Sequence, residues 1–255
     1  HRQVRHQDSP HELMDDKIHG IVLQSIRYGD TSLIVKVYTR HFGLRSYMVK
    51  GAFGRNSKNR VALFQNLNLI NYIETGKPNK GGSLGYMKDV QLTSVYQSIP
   101  FVMNKSAILM YVSELLSKTL TEEASNEPLY DFIEKAMHWL DLVEHNFANF
   151  PLYFTLELTR HLGFYPKTDY ESGFCFDLME GSFAHDFPLH PYYFDPDAAS
   201  LLHSLLNLGI DEACRLSLSA DQRRELLDKL IVYLRLHAPV VSDLHSHEIL
   251  KVVLE

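Results

Sequence analysis

Seven cations stand between Asp30 and Glu74: Lys36, Arg40, Arg45, Lys50, Arg55, Lys58 and Arg60. Residues 31–73 contain no carboxylate, although the whole chain carries a formal charge of −6. Such a window in an acidic protein points to a polyanionic ligand. Ammonium and guanidinium groups displace condensed counterions from phosphates, and this chemistry requires no base contact. The strongest candidates are Lys50, Arg55, Lys58 and Arg60, which flank or occupy a loop rich in Gly and Asn whose backbone can follow phosphates. Arg40 and Arg45 flank the neighbouring turn, and Lys36 lies on a strand face. Tyr38, Phe42, Tyr47 and Phe53 are interleaved with these charges. An exposed ring among them would stack an unpaired base, for about 1–3 kcal/mol per base; a buried one would be barrel core.

Other chemistry is poorly supported. Gly81-Gly-Ser83-Leu-Gly85 matches the hydrolase elbow, but that elbow joins a strand to a helix. Here a proline turn precedes it and an alternating strand follows, so a glycine-rich hairpin is expected. A structural zinc needs four ligands in close pairs. Cys175, His185, Asp186 and His190 lack that pairing, so no metal and no cofactor is expected, and Cys175 reads as a small buried side chain. His245 and His247 read as an exposed helix end. No phosphate-cradling G-x-x-x-x-G-K-[ST] occurs, and nothing aligns a nucleophile with His161, Asp169 and Glu171, so no enzyme is expected.

The elements that must position the cations are strands. Ile21 to Arg27, Leu33 to Tyr38, Arg45 to Lys50, about 63–74 and Leu84 to Leu92 alternate apolar and polar residues between turn signals at Gly29, Gly43 and 76–79. Five short antiparallel strands in about eighty residues predict a small closed barrel of OB-fold type, with an SH3-like barrel as the rival. After Pro100 the period becomes helical, with stripes over 108–120, 132–143, 151–162, 201–208 and 226–234 and a last short helix near 243–254. Pro128, Pro151 and Pro196 sit at helix starts, Gly163 at a helix end, and Ser219 to Gln222 fits a capping box. The expected class is α+β: a leader over 1–13, a barrel over 14–96, and a helical domain over 97–255 with 164–194 irregular. Charge divides likewise. Residues 14–95 have twelve Lys/Arg against five Asp/Glu, whereas 96–255 have eleven against twenty-four. No run of about 18 apolar residues occurs, so no membrane span is expected, and two cysteines fit a reducing cytoplasm.

Three stretches carry a resemblance: Gly20-Ile-Val-Leu23, Arg27-Tyr-Gly-Asp-Thr-Ser-Leu33, and Tyr38-Thr-Arg-His-Phe-Gly43 through Val49-Lys50-Gly51-Ala52. They resemble the amino-terminal signature of the bacterial RecO family. The likeness extends more loosely through Leu63–Ile73, the Leu162-Gly163-Phe164-Tyr165-Pro166 turn and Ser246 to Leu250. The resemblance implies a barrel followed by helices, and a recombination mediator without catalysis. It also implies binding of single- and double-stranded DNA, strand annealing, and partnership with RecR to load RecA on strands coated by SSB. Many relatives hold zinc in a four-cysteine knuckle after the Leu-Gly-x-x-Pro turn; here Lys167 to Tyr193 offers Cys175 alone.

The acidic half suits proteins better than DNA. An acidic, apolar tail such as that of SSB needs a cation beside an apolar groove, and Arg223, Arg224 and Lys229 beside Leu226 and Leu230 are the candidates. Two rivals stand: an adaptor whose basic barrel docks an acidic protein, and an RNA-binding barrel.

Overall fold

The computed structural model describes residues 17–54, 60–75, 84–121, 124–241 and 243–254. The expected leader, Arg55, Lys58, Ser83 and the expected turn over 76–79 lie outside them.

Five strands close a barrel in the order β1-β2-β3-β5-β4: β1 Ile18–Tyr28, β2 Ser32–Thr39, β3 Gly43–Val49, β4 Leu69–Thr75 and β5 Gly85–Leu92. All pairings are antiparallel except β3 with β5. A short helix, α1 (Arg60–Leu63), lies between β3 and β4. This order is that of an OB-fold. Alternation explains the closure. Val22, Leu33, Val35, Val37, Tyr47, Val49, Ile70 and Tyr72 fill the barrel. Ile21, Leu23 and Tyr38, on the other face of the same strands, join the helical core. Gly29 takes φ 61 in the β1–β2 turn, where a side chain would be strained.

The fourth strand is shorter than expected. Residues 63–68 complete α1 and an irregular turn, because Phe64 and Leu67 both bury themselves and Leu67 adopts φ 62, which no strand permits.

The second half packs α2 Met103–Thr119, α3 Glu127–Leu142, α4 Phe150–Leu162, α5 Pro196–Leu205, α6 Ile210–Arg215, α7 Ala220–His237 and α8 His247–Val253. The start and stop signals act as expected. Asn126 and Asp195 accept amide hydrogen bonds at the starts of α3 and α5, Ser219 and Gln222 form a reciprocal box, and Gly163 ends α4 at φ 89. Residues 164–194 are not wholly irregular. Cys175–Asp177 (β6), Ser182–Ala184 (β7) and Tyr193–Phe194 (β8) pair in the order β7-β6-β8. Strands of two or three residues are too short to show alternation, and aromatic packing of Phe176 against Phe183 and Phe194 makes this sheet.

The segment joining the halves is clamped. Asp141, 7% exposed, accepts from the amides of Gln97, Ser98 and Ile99 at 2.8, 2.8 and 3.0 Å. Beside it the buried Lys105 ammonium donates to Ser98 Oγ and to the carbonyls of Asp141 and Val143 at the end of α3. A cation there complements the helix dipole.

Candidate nucleic-acid interface

Among the described candidate cations, Lys50 and Arg60 lie at one end of the β2–β3 hairpin and Arg40 and Arg45 toward the other. At eight residues, β2 separates those ends by about 23 Å. One rim is formed by the β1–β2 turn, the end of β3 and the start of β5. There the Lys50 ammonium lies 5.0 Å from the centre of the Tyr86 ring. Arg60 donates to the Lys50 carbonyl at 3.0 Å. Arg27 lies 4.8 Å over Phe53 and donates to the carbonyls of Gly29 and Asp30. The Phe53 amide bonds to Thr31 O, so the two loops are stitched together. Tyr28, Phe53 and Tyr86 are 55%, 39% and 42% exposed, which leaves ring surface for a ligand. The stretch that carries Arg55 and Lys58 leaves and rejoins the described chain at Gly54 and Arg60, on this rim.

The other end differs. Arg40 sits 3.1 Å from Asp131 and 3.8 Å from Glu127, both on α3, and His41 lies 3.1 Å from Glu127. The Tyr38 hydroxyl donates to Asn126 O. These contacts dock the barrel on the helices and occupy the guanidinium. Arg45 lies 5.5 Å over the exposed Phe42 ring, with its Nε buried and unbonded. Lys36 faces a cleft shared with Gln24, Ser117 and Thr121, away from both ends. The structure therefore brings together Lys50 and Arg60, and sets Arg40, Arg45 and Lys36 elsewhere.

Among the aromatics, Tyr38 and Tyr47 are buried, and burial pushes the Tyr38 phenol up to about 12. They are core, whereas Phe42 and Phe53 are exposed. Arg27, Tyr28 and Tyr86 are rim residues that the charge window does not pick out. Arg27 and Tyr28 precede the Gly29 turn directly, and that position was the available signal. Tyr86 reaches the rim only because β5 pairs with β3 in register Met48↔Tyr86.

Arg223 and Arg224 line an apolar groove with Pro151, Leu152, Leu227 and Leu250. Arg223 donates to the carbonyls of Leu218 and Leu254 at 2.7 and 3.1 Å, and Arg224 to that of Lys251 at 3.0 Å. Lys229 is not there: it donates to Tyr193 O and lies over the Tyr193 and Phe194 rings.

Of the suggested metal ligands, Cys175 and His185 each meet Asp186, and His190 turns to Asp177. Cys175 Sγ faces the carbonyls of Ala184 and Asp186, with its thiol pushed up by burial. His247 is buried, contrary to the exposed helix end expected, because α8 folds back against α2 and α7. With Asp228 and Glu248 it forms the metal-compatible cluster found among the described residues. The Lys251 ammonium already lies 2.5 Å from Asp228 and 2.9 Å from Glu248, supplying the positive charge. In the Gly81–Gly85 pattern the last glycine begins β5, so a strand follows where the elbow needs a helix.

Comparison with known proteins agrees with this architecture. Residues 14–96 match the family model "Recombination protein O N terminal", and 101–244 match "Recombination protein O C terminal". A DNA repair protein RecO from Flavobacterium psychrophilum is 36% identical over 242 residues, covering 94% of this chain and 99% of its own. Those of Bacteroides fragilis and Phocaeicola vulgatus are 35% and 34% identical over 240 and 239 residues, each covering 93% of this chain and 98% of the relative. With both halves matched in order and the barrel and helices in place, this chain belongs to the RecO family of DNA repair proteins.

Proposed function

We propose that the protein is a non-catalytic recombination mediator whose barrel, residues 14–96, binds single- and double-stranded DNA and anneals complementary strands. Residues 97–255 then serve protein partners: RecR, and an acidic, apolar tail such as that of SSB, which helps load RecA. The setting is the cytoplasm, at the nucleoid. One observation carries the reading. The rim gathers Arg27, Lys50 and Arg60 with three exposed rings, and its cations rest on rings and carbonyls, while the carboxylates of α3 take Arg40. A cation resting on a ring can turn to a phosphate without first leaving a carboxylate. The groove holding Arg223 and Arg224 supports the tail reading, its apolar floor taking aliphatic side chains and its guanidinium edge a carboxylate.

No helix among the described residues is long and apolar enough to cross a membrane.

Matched single-stranded DNA, duplex DNA and RNA titrated across a salt series test the reading. If about five phosphates are neutralised on single strands, log K against log salt slopes near −3.5. A flat response overturns it, and RNA bound more tightly than DNA replaces it with the RNA-binding alternative.

A further inference from the structure

The helical half carries a second charge-biased window, opposite in sign to the first. Residues 168–214 contain no Lys or Arg and nine Asp or Glu. Within it the segments that connect β6, β7 and β8 display large apolar side chains to solvent. Leu189 is fully exposed, and Phe187, Met179 and Tyr192 are 56%, 48% and 43% exposed. These residues share one surface. Phe187 packs at 5.4 Å on Tyr193, which pairs with Asp177; His190 bonds to Asp177 and sits 6.0 Å from Tyr192; the Leu178 amide bonds to Tyr192 O, bringing Met179 alongside. Pro188 and Pro191 bracket Leu189 and restrict the backbone, so presenting it costs little further entropy on binding. Glu180 and Asp186 lie exposed in the two turns of the same surface, Asp186 beside His185; the Lys229 ammonium that reaches Tyr193 from α7 is taken up by the Tyr193 carbonyl and ring.

Apolar surface left open in a stiff, acid-rimmed patch marks a protein contact. The sign of the rim selects the partner. Nucleic acid and anionic lipid are repelled, whereas a basic protein face is attracted and steered. We infer that the Met179–Tyr192 surface docks a protein partner that presents an apolar socket for Phe187 and Leu189 ringed by Lys and Arg. This contact is separate from both the barrel rim and the Arg223 groove, so it stands or falls without them.

The test places p-benzoylphenylalanine at position 189 of the full chain in its native cells and identifies the photoadduct by peptide sequencing. The expected adduct is one protein, joined through a peptide in which apolar residues are flanked by Lys or Arg. Its yield falls at least tenfold when Glu180→Lys and Asp186→Lys are added, while melting temperature and DNA affinity stay unchanged. Adducts to nucleic acid or lipid, to a second copy of this chain, or to an acidic peptide overturn the inference. So does the absence of an adduct, or a yield indifferent to the two charge reversals.

Discussion

At the scale of single residues, what a cation does depends on what already holds it. Arg40 and Lys50 look equivalent in the sequence, but Arg40 is held by Asp131 while Lys50 rests on a ring. Lys50→Gln is therefore expected to flatten the single-strand salt slope by about 0.7, the share of one phosphate. Arg40→Gln is expected to leave that slope unchanged. Equal losses in the two variants, measured by fluorescence anisotropy across the same salt series, would show that the two ends of the hairpin act as one site. Phe53 and Tyr86 belong to the same rim, and their exposure separates them from Tyr38 and Tyr47, which the sequence interleaves with the same charges.

At the scale of elements, the segment connecting barrel to helices is clamped by one carboxylate. Burial alone would raise the Asp141 pKa, but the amides of Gln97, Ser98 and Ile99 outweigh burial and hold it below its ordinary value. A carboxyl depressed in the folded state stabilises fully above its unfolded pKa, and that stability is lost as pH falls through the folded value. Glu114 behaves likewise. Burial raises it, but the Ser246 and His245 groups that it accepts from hold it low and tie α2 to the start of α8. Acid unfolding is thus expected below about pH 4, where ordinary carboxylates protonate, and Asp141→Ala should remove part of that acid sensitivity. At neutral pH the same substitution strands the three amides of Gln97, Ser98 and Ile99, at a cost of about 3 kcal/mol, while Lys105 keeps its bonds to Ser98 Oγ and the backbone carbonyls of positions 141 and 143. Urea denaturation reads both effects; a variant as stable as the parent would mean that water replaces the carboxylate freely. The β6–β8 sheet makes a related point. Where many relatives are expected to use zinc, Phe176, Phe183 and Phe194 hold three very short strands by ring contacts.

At the scale of the whole molecule, one core crosses the boundary between the two halves. Ile21, Leu23, Tyr38 and Leu67 of the barrel share a cluster with Ile108, Tyr111 and Leu115 of α2. Burying each such side chain contributes about 2 kcal/mol, so neither half exposes this face without a large loss. Unfolding is therefore expected to be a single transition. The lone tryptophan, Trp139, stacked on Phe150 in the helical half, should report the same midpoint by fluorescence as the β-strand amide I infrared band reports for the barrel. Two separated midpoints would show that the halves fold independently and that the shared cluster is only a contact.

Much of this was readable along the chain, because alternation, helical period, caps and turn glycines are local properties. The period-two pattern was visible in Leu33, Val35 and Val37, the box at Ser219 in four consecutive residues, and the charge window by counting. The short sheet at 175–194 and the helical turn at 60–63 leave no such mark, because packing rather than pattern makes them. The layout of the site was decided only by tertiary structure. Periodicity assigns a residue to a face, but closing the barrel determines which end of which strand meets which loop. That closure sets Tyr86 beside Met48 and Lys50, and docking on α3 brings Asp131 across 91 positions to Arg40. Charge acts through space, so a cation's freedom depends on neighbours that the order of the chain does not reveal.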